Sequence, residues 1–566
     1  MKKLLSLLLC FGLLLSMTVV ATFSTTAATV DKVVTSVTSG DYNYRVLSDG
    51  TAEITKYRGT DEVLVIPSKL DGLVVTSLYL DSFKSGKFKQ VTIPNTVKSI
   101  GRYAFYNCDS ITEITIPDSV TVIDANAFDD CGNLKTVVIG KSVTTIGDYA
   151  FASCKNLKSL TIGSNVNTIG AGAFQYCTTL RTVEIPDSVE KIGSSAFKYC
   201  EYLTNITFSK NIKNISNEAF YRCDRLTEVT IPDSVETLGK SAFASCPKLT
   251  TVKIGKNLKR IDEKTFDNCV LLENIDMNSV EEIGVRAFGD CSSLKSITIP
   301  DSVTLIENYA FSGCEALTQV VVPDSVVTMG RNVFEDCSEL VSVKIGNSVK
   351  CIDQYCFLRC DNLETIIIGN SVEKIGQRAF EYCYTLKFVK IPDSVITIDK
   401  HAFKSCSSLT DIEIGDSVIN INSGAFSLCP NLKEVVLPES VEEISDFCFS
   451  SCDNLKKIVV MNPDCVLYDG DSTVPKQTVI FGYEDSYAQI YAQERGREFV
   501  LIQTGDTDLD GEITVMDATE IQRHIAKSIN IKSGILSLAN TDRDDAISIM
   551  DVTQIQLFIA KRIPEL

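Results

Sequence analysis

A chain of 566 residues with a formal charge of −19 is long enough for several domains, and its 44% apolar and 22% charged composition can bury a core. It holds no tryptophan, 21 cysteines and two histidines, His401 and His524, which disfavours a histidine-ligated metal centre or a histidine-based triad. The acidic balance argues against a nucleic-acid binder, which needs a basic face for phosphate.

The amino terminus reads as an export signal. Lys2 and Lys3 precede an apolar run from Leu4 to Ala21, followed by the small residues Ser24 to Ala28. An uncleaved membrane anchor is the alternative, because the run approaches the length of a span. Cleavage after residue 28 leaves a secreted, extracellular chain without a membrane span. Residues 29–79 are then expected to form an amino-terminal cap. Within them, Tyr44 to Thr55 alternates around Asp49-Gly50, a hairpin signature.

From 80 to 460 the chain repeats. Sixteen phenylalanines from Phe105 to Phe449 recur every 23 residues, with one interval of 22 between Phe266 and Phe288. Three residues after each comes a cysteine, Cys108 to Cys452, and three further on a leucine, with Ile111 the one substitute. Phe83 marks an earlier coil that lacks the cysteine. A fixed period of this length predicts a solenoid. In one repeat, Leu180, Val183 and Ile185 face inward while Thr182 and Glu184 alternate with them, so a short strand is expected, ended by Pro186. Gly193 to Cys200 is expected to form a turn and short helix, with Ala196, Phe197 and Cys200 inside. No coil buries this face alone; stacking builds a continuous core.

The recurring Ile-Pro-Asp-Ser-Val, Ile-Gly, Ala-Phe and Cys-x-x-Leu segments resemble the BspA-like leucine-rich repeats of bacterial surface proteins. The resemblance implies an α/β leucine-rich repeat solenoid of 16–17 coils, strand plus short helix, that binds a ligand or surface and does no catalysis. The repeat cysteines share the inward register of Phe and Leu, so buried free thiols are expected although export permits disulfides. Cys351, Cys356, Cys448 and Cys465 fall off that register and are the expected exceptions.

Any specificity lies on the outward strand positions, eight and ten residues after each Phe. Asp411, Glu413 and Glu434 there could sit at the separation of a glycosidase carboxylate pair. Lys390 and Lys457 stand opposite Glu413 and Glu434 on neighbouring coils, which favours ion pairs instead. Phe388 is the one aromatic in these two rows, so no platform for sugar rings is expected.

Residues 461–503 break the repeat and are expected to be a carboxyl-terminal cap and linker. Residues 504–566 carry a different pattern. Asp506, Asp508, Asp510 and Asp517 occupy positions 1, 3, 5 and 12 of a calcium loop, with Gly511 at position 6. Glu512 would add its backbone carbonyl and Thr514 its side chain or a water. Thirty-four residues on, Asn540, Asp542, Asp544, Ala546, Ser548 and Asp551 repeat the set, with Asp545 in place of the glycine. The second Ca2+ site is therefore expected to be weaker. Each loop leads into one helix, carrying Ile521 and Ile525, or Ile555 and Ile559.

Duplicated loop–helix units ending in Asp resemble a dockerin of the type I style, a small all-α calcium-binding module. That resemblance implies a cohesin domain of a scaffoldin as partner, within a cellulosome that degrades plant polysaccharide at the cell surface. By the family's pattern the recognition residues are Val515, Met516, Arg523 and Lys527, then Ile549, Met550, Leu557 and Lys561. Both copies carry an apolar pair where many dockerins carry hydroxyls. The combined expectation is a non-catalytic secreted subunit whose repeats hold a protein or polysaccharide ligand. A glycoside-hydrolase-type enzyme and a cell-surface adhesin are the alternatives.

Overall fold

The structure, a computed structural model, describes residues 34–561 apart from 469, 471, 530, 532–534 and 545. The expected export signal and Asp545 lie outside the described residues. Among the described residues no helix is long and apolar enough to cross a membrane.

All coils but one contribute two short strands to two stacks of parallel strands, each interrupted in places; residues 296–298 form no strand. The first carries the outward rows: Thr136, Val137 and Val138 pair with Ser159, Leu160 and Thr161 one coil on. The second follows the Val-x-x-Ile segment, as where Lys191-Ile192 pairs with Asn214-Ile215. Both ladders step by 23 residues, and by 22 where Arg260 pairs with Glu282. The missing residue is absorbed in the turn at 277–279, so equivalent positions stay aligned.

The expected short helix is not there. Between 80 and 460 the chain forms no helix; the segment around each Phe is a run of turns. In one coil Ser195 (φ 58°) and Tyr199 (φ 60°) are left-handed, and the same two positions recur around other phenylalanines, as Ser241 and Ser245 do. Left-handed residues interrupt a right-handed helix. What holds them is pairing between coils: Ser195, Phe197 and Tyr199 donate their N–H groups to the carbonyls of Asn217, Ala219 and Tyr221, each at 2.8 Å. A helix would turn those groups back on their own coil and leave the next one unpaired.

One core runs through the stack, from Tyr44 to Ala492. Its spine is a column of rings from Phe83 to Phe449, with neighbouring centroids 5.0–5.9 Å apart and planes within 11°. Tyr57 continues the column at the amino-terminal end, 5.9 Å from Phe83. That end is closed by strands Val34–Ser39, Tyr42–Val46 and Ala52–Tyr57, the last two forming the hairpin around Asp49-Gly50. Ala52–Tyr57 then pairs in parallel with Leu73–Leu78, so the cap is part of the second ladder.

All sixteen repeat cysteines are buried free thiols. Each places its Sγ 3.1–3.5 Å from the carbonyl oxygen of the phenylalanine one coil earlier. Of the four off-register cysteines, Cys356, Cys448 and Cys465 are also buried and free, and Cys351 is free and half-buried.

Residues 461–503 extend the stack rather than leave it. Val466–Leu467 adds to the second ladder, and Val479–Gly482 followed by Phe499–Leu501 adds to the first. Helix α1 (Tyr487–Glu494) lies across this end with Ala488, Tyr491 and Ala492 buried.

Candidate functional site

The outward strand face carries the first candidate. Lys390 forms an ion pair with Glu413 at 2.7 Å, as the alternation of charge predicted. Glu434 stands opposite Lys457 in the ladder register. Asp411 is half-buried and accepts from the N–H of Ile412. Two of the three carboxylates thus face a lysine on a neighbouring coil, and the third accepts from a backbone N–H.

The second candidate is the carboxyl-terminal module, built on α2 (Val515–Ile525), the short α3 (Leu536–Ala539) and α4 (Ile549–Ile559). Ala518 and Ile521 on α2 pack against Val552 and Ile555 on α4 in one buried cluster. The start of each long helix has a local cause. Thr514 is the N-cap of α2 and Ser548 of α4, and three residues on Asp517 and Asp551 complete capping boxes.

The first loop gathers its carboxylates. Ligand oxygens of Asp506, Asp508 and Asp510 all lie within 4.8 Å of one another. Asp506 is fully buried and accepts from the N–H groups of Asp510 and Gly511, at 3.1 and 3.0 Å. Burial, with Asp517 and Asp508 nearby, pushes its carboxyl up to about 6. Burial first, then Asp517 and Asp510, raise Asp508 as well. Gly511 has φ +93°, where a side chain would be strained. Asp517 stands outside the triplet: one oxygen accepts from Thr507 and Asp508, the other from Thr514. Glu512 is exposed, and its N–H donates to Asp510. The Thr514 hydroxyl accepts from Met516, so it is occupied as a cap.

The second loop repeats several of these contacts. Asp551 accepts from Thr541, Asp542 and Ser548; Asp544 accepts from Ala546; the Ser548 hydroxyl accepts from Met550. Asn540 donates its amide to the Asp544 carbonyl at 2.5 Å, while its buried Oδ1 has no hydrogen-bond partner. A hard cation fits both loops on these grounds: an all-oxygen donor set, a buried carboxylate raised by its like neighbours, and an orphaned oxygen at position 1 of the copy.

Val515, Met516, Ile549 and Met550 stand at equivalent positions at the two helix starts and are all exposed. Arg523, Lys527 and Lys561 are exposed and Leu557 is half-buried. His524 is structural, its Nδ1 accepting from the Ile531 N–H.

The structure also brings together residues that sequence reasoning did not join. Val436 and Val459, in the outward row of the solenoid, are buried in one cluster with Met461, Phe481, Leu509 and the helices of the module. The Lys457 ammonium donates to the carbonyls of Asp508 and Leu509, at 3.2 and 2.8 Å. The module thus sits on the strand face of the last coils. The available signal was Leu509, an apolar residue where the second loop has Arg543.

Comparison with known proteins places the repeats. The pattern of the BspA type leucine-rich repeat region matches residues 76–204, 190–314, 281–409 and 377–465. The crystal structure of a leucine-rich repeat protein from Bacteroides ovatus is 30% identical with a TM-score of 0.50, covering 73% of this chain and 96% of that one. A leucine-rich cell surface protein from Faecalibacterium prausnitzii is 24% identical (TM-score 0.37), covering 78% and 96% respectively. The pneumococcal vaccine antigen PcpA is 18% identical (TM-score 0.33), covering 83% and 100%. None of the curated proteins matches.

Proposed function

The chain belongs to the BspA-type leucine-rich repeat family, and on that premise we propose that it is a non-catalytic, secreted binding or structural subunit that attaches through its carboxyl-terminal module. The module acts as a dockerin: with calcium in its loops it binds a cohesin of a scaffoldin, while the solenoid presents a protein or surface ligand in plant polysaccharide degradation. The observation that carries this reading is the pair of apolar doublets. Val515-Met516 and Ile549-Met550 are 54–62% exposed at the same place in each copy. The inward residues of the same helices are fully packed, so the doublets are not spare core. Exposed apolar side chains set at a rigid helix start are what a partner surface needs.

The chain's own residues prepare this arrangement. Asp517 and Asp551 fix each helix start through the capping box, which sets the direction in which each doublet points. Calcium, when bound, supplies the positive charge that lets the loop carboxylates remain ionised side by side. Arg523 lies on α2, and Lys527 and Lys561 lie two residues past the ends of α2 and α4; all three are exposed and add charge selection to the apolar contact.

The test is binding of the mature chain to a panel of cohesin domains. Binding should require calcium and vanish with chelator. Val515→Asp with Met516→Asp should weaken it less than about tenfold if the second face substitutes, and adding Ile549→Asp and Met550→Asp should weaken it at least about a hundredfold. Binding that survives the fourfold change would overturn the face assignment. The chain should release no reducing sugar from cellulose, xylan or pectin; hydrolysis abolished by Glu434→Gln would overturn the non-catalytic reading.

A further inference from the structure

The two loops proposed to bind calcium meet different surroundings. Leu509 and Arg543 occupy position 4 of their loops and are both left-handed, at φ 55° and 58°. Arg543 is exposed, whereas Leu509 is 3% exposed, inside the cluster that joins the module to the solenoid. The left-handed turn is common to both loops and so belongs to the loop; what sets Leu509 apart is that its side chain is held in a buried site.

The solenoid supplies that hold. Val459 is fully buried, while Val321 and Ile367, earlier in the same outward row, are 57% and 61% exposed. The burial therefore comes from the carboxyl-terminal cap and the module together, and not from the repeat. Lys457 donates to the two loop carbonyls on either side of the Asp508–Leu509 peptide, and its ammonium also lies 4.8 Å from the centre of the Phe481 ring. These contacts fall on residues 508 and 509, between the first and third carboxylates of the loop.

We propose that cation binding in the first loop and seating of the module on the last coils are one coupled equilibrium, with Leu509 as the wedge. Both events order the same segment, 506–511, so whichever happens first removes part of the ordering cost of the second. Linkage makes the effect mutual: calcium tightens the docking, and the docking raises the calcium affinity of the first loop alone. The end of the outward face around Val436 and Val459 is then a surface for the chain's own module, open to other ligands only when calcium is withdrawn. This coupling rests on the reading of the module as a calcium binder.

Calcium titration calorimetry and hydroxyl-radical footprinting of the mature chain test it. Two variants are used. Leu509→Asn removes the wedge while keeping a residue that accepts a left-handed backbone, and Val459→Thr alters the solenoid side without touching the loop. Each variant should lower the affinity of one of the two sites by about five- to a hundredfold and leave the other unchanged. Met461, buried in the same cluster, should be protected from oxidation with calcium and oxidised in chelator in the unaltered chain. Unchanged affinities in both variants, or Met461 equally protected with and without calcium, would overturn the coupling while leaving the calcium reading standing. A chain that binds no calcium at all would overturn both.

Discussion

At the scale of single residues the repeat is a division of labour between Phe and Cys. The Phe ring fills the coil, and its carbonyl accepts from its own coil's Cys N–H, as Phe174 does from Cys177 at 3.2 Å, and from the thiol one coil on. A small apolar residue would fill the same volume, but a thiol also gives that carbonyl a second, weak donor. Burial pushes these thiols up, Cys108 to about 12 and Cys177 well above the ordinary thiol range. Cys351 is half-buried and raised to about 11. Alkylation of the native protein near pH 8 should therefore label Cys351 first and leave the sixteen ladder thiols intact until denaturant is added. Mass spectrometry showing ladder cysteines modified as fast as Cys351, or linked between adjacent coils, would refute this. The inward register of Cys was legible from its spacing to Phe. The S–H donor was not, because its acceptor belongs to a different coil.

At the scale of elements, the strands were legible and the helix was misread. Leu180 to Ile185 alternates with period two, and the strand Thr182–Glu184 forms there. Around Phe197 the apolar spacing fits a helix as well as it fits a turn. What decides between them is the inter-coil pairing of Ser195 and Tyr199, which no local pattern encodes. In the module, Thr-x-x-Asp and Ser-x-x-Asp start the helices at Val515 and Ile549. The ligand spacing places the first helix after Asp517, whereas the capping box starts it two residues earlier, at Val515, so that the Asp proposed as a calcium ligand lies inside the helix's first turn.

The loop carboxylates also set a pH dependence. Without a divalent cation, the folded carboxyl of Asp506 lies near 6, above its ordinary value of 3.8. A group raised on folding stabilises the folded state below its unfolded pKa and loses that contribution as pH rises through the folded one. In chelator the module should thus be most stable near pH 4 and weaken towards pH 6, by at most about 3 kcal/mol. In calcium the trend should reverse, since protonation competes with the ion. The solenoid repeats contain no helix, so the helical circular-dichroism signal reports mainly on α2 and α4. Melting curves followed there, with a stability that rises with pH in chelator, would contradict the assignment. Asp517→Ala should lower the midpoint under both conditions, because it removes the cap as well as a ligand, at a cost of about 1 kcal/mol for the cap alone.

At the scale of the whole molecule, the chain is a rod with a module seated on the strand face of one end. The solenoid follows from period and alternation, and the family match covers it, from 76 to 465. The seating does not follow from them. Val436 and Val459 look like any β-branched residues on an exposed strand, and only their place in the cluster with Met461, Phe481 and Leu509 sets them apart from Val321 and Ile367. Contacts between modules depend on placement in space, and that information is spread over residues fifty positions apart, as between Lys457 and Leu509.

Everything assigned to the module begins with metal in its loops, so the direct test is the number of calcium ions bound by the metal-free mature chain, measured by titration calorimetry. Two ions should bind, with the loop that begins at Asn540 the weaker site. Asp506→Ala with Asp517→Ala should remove one ion, and Asp542→Ala with Asp551→Ala the other. A chain that takes up no calcium, or whose stoichiometry ignores these four carboxylates, would contradict the account.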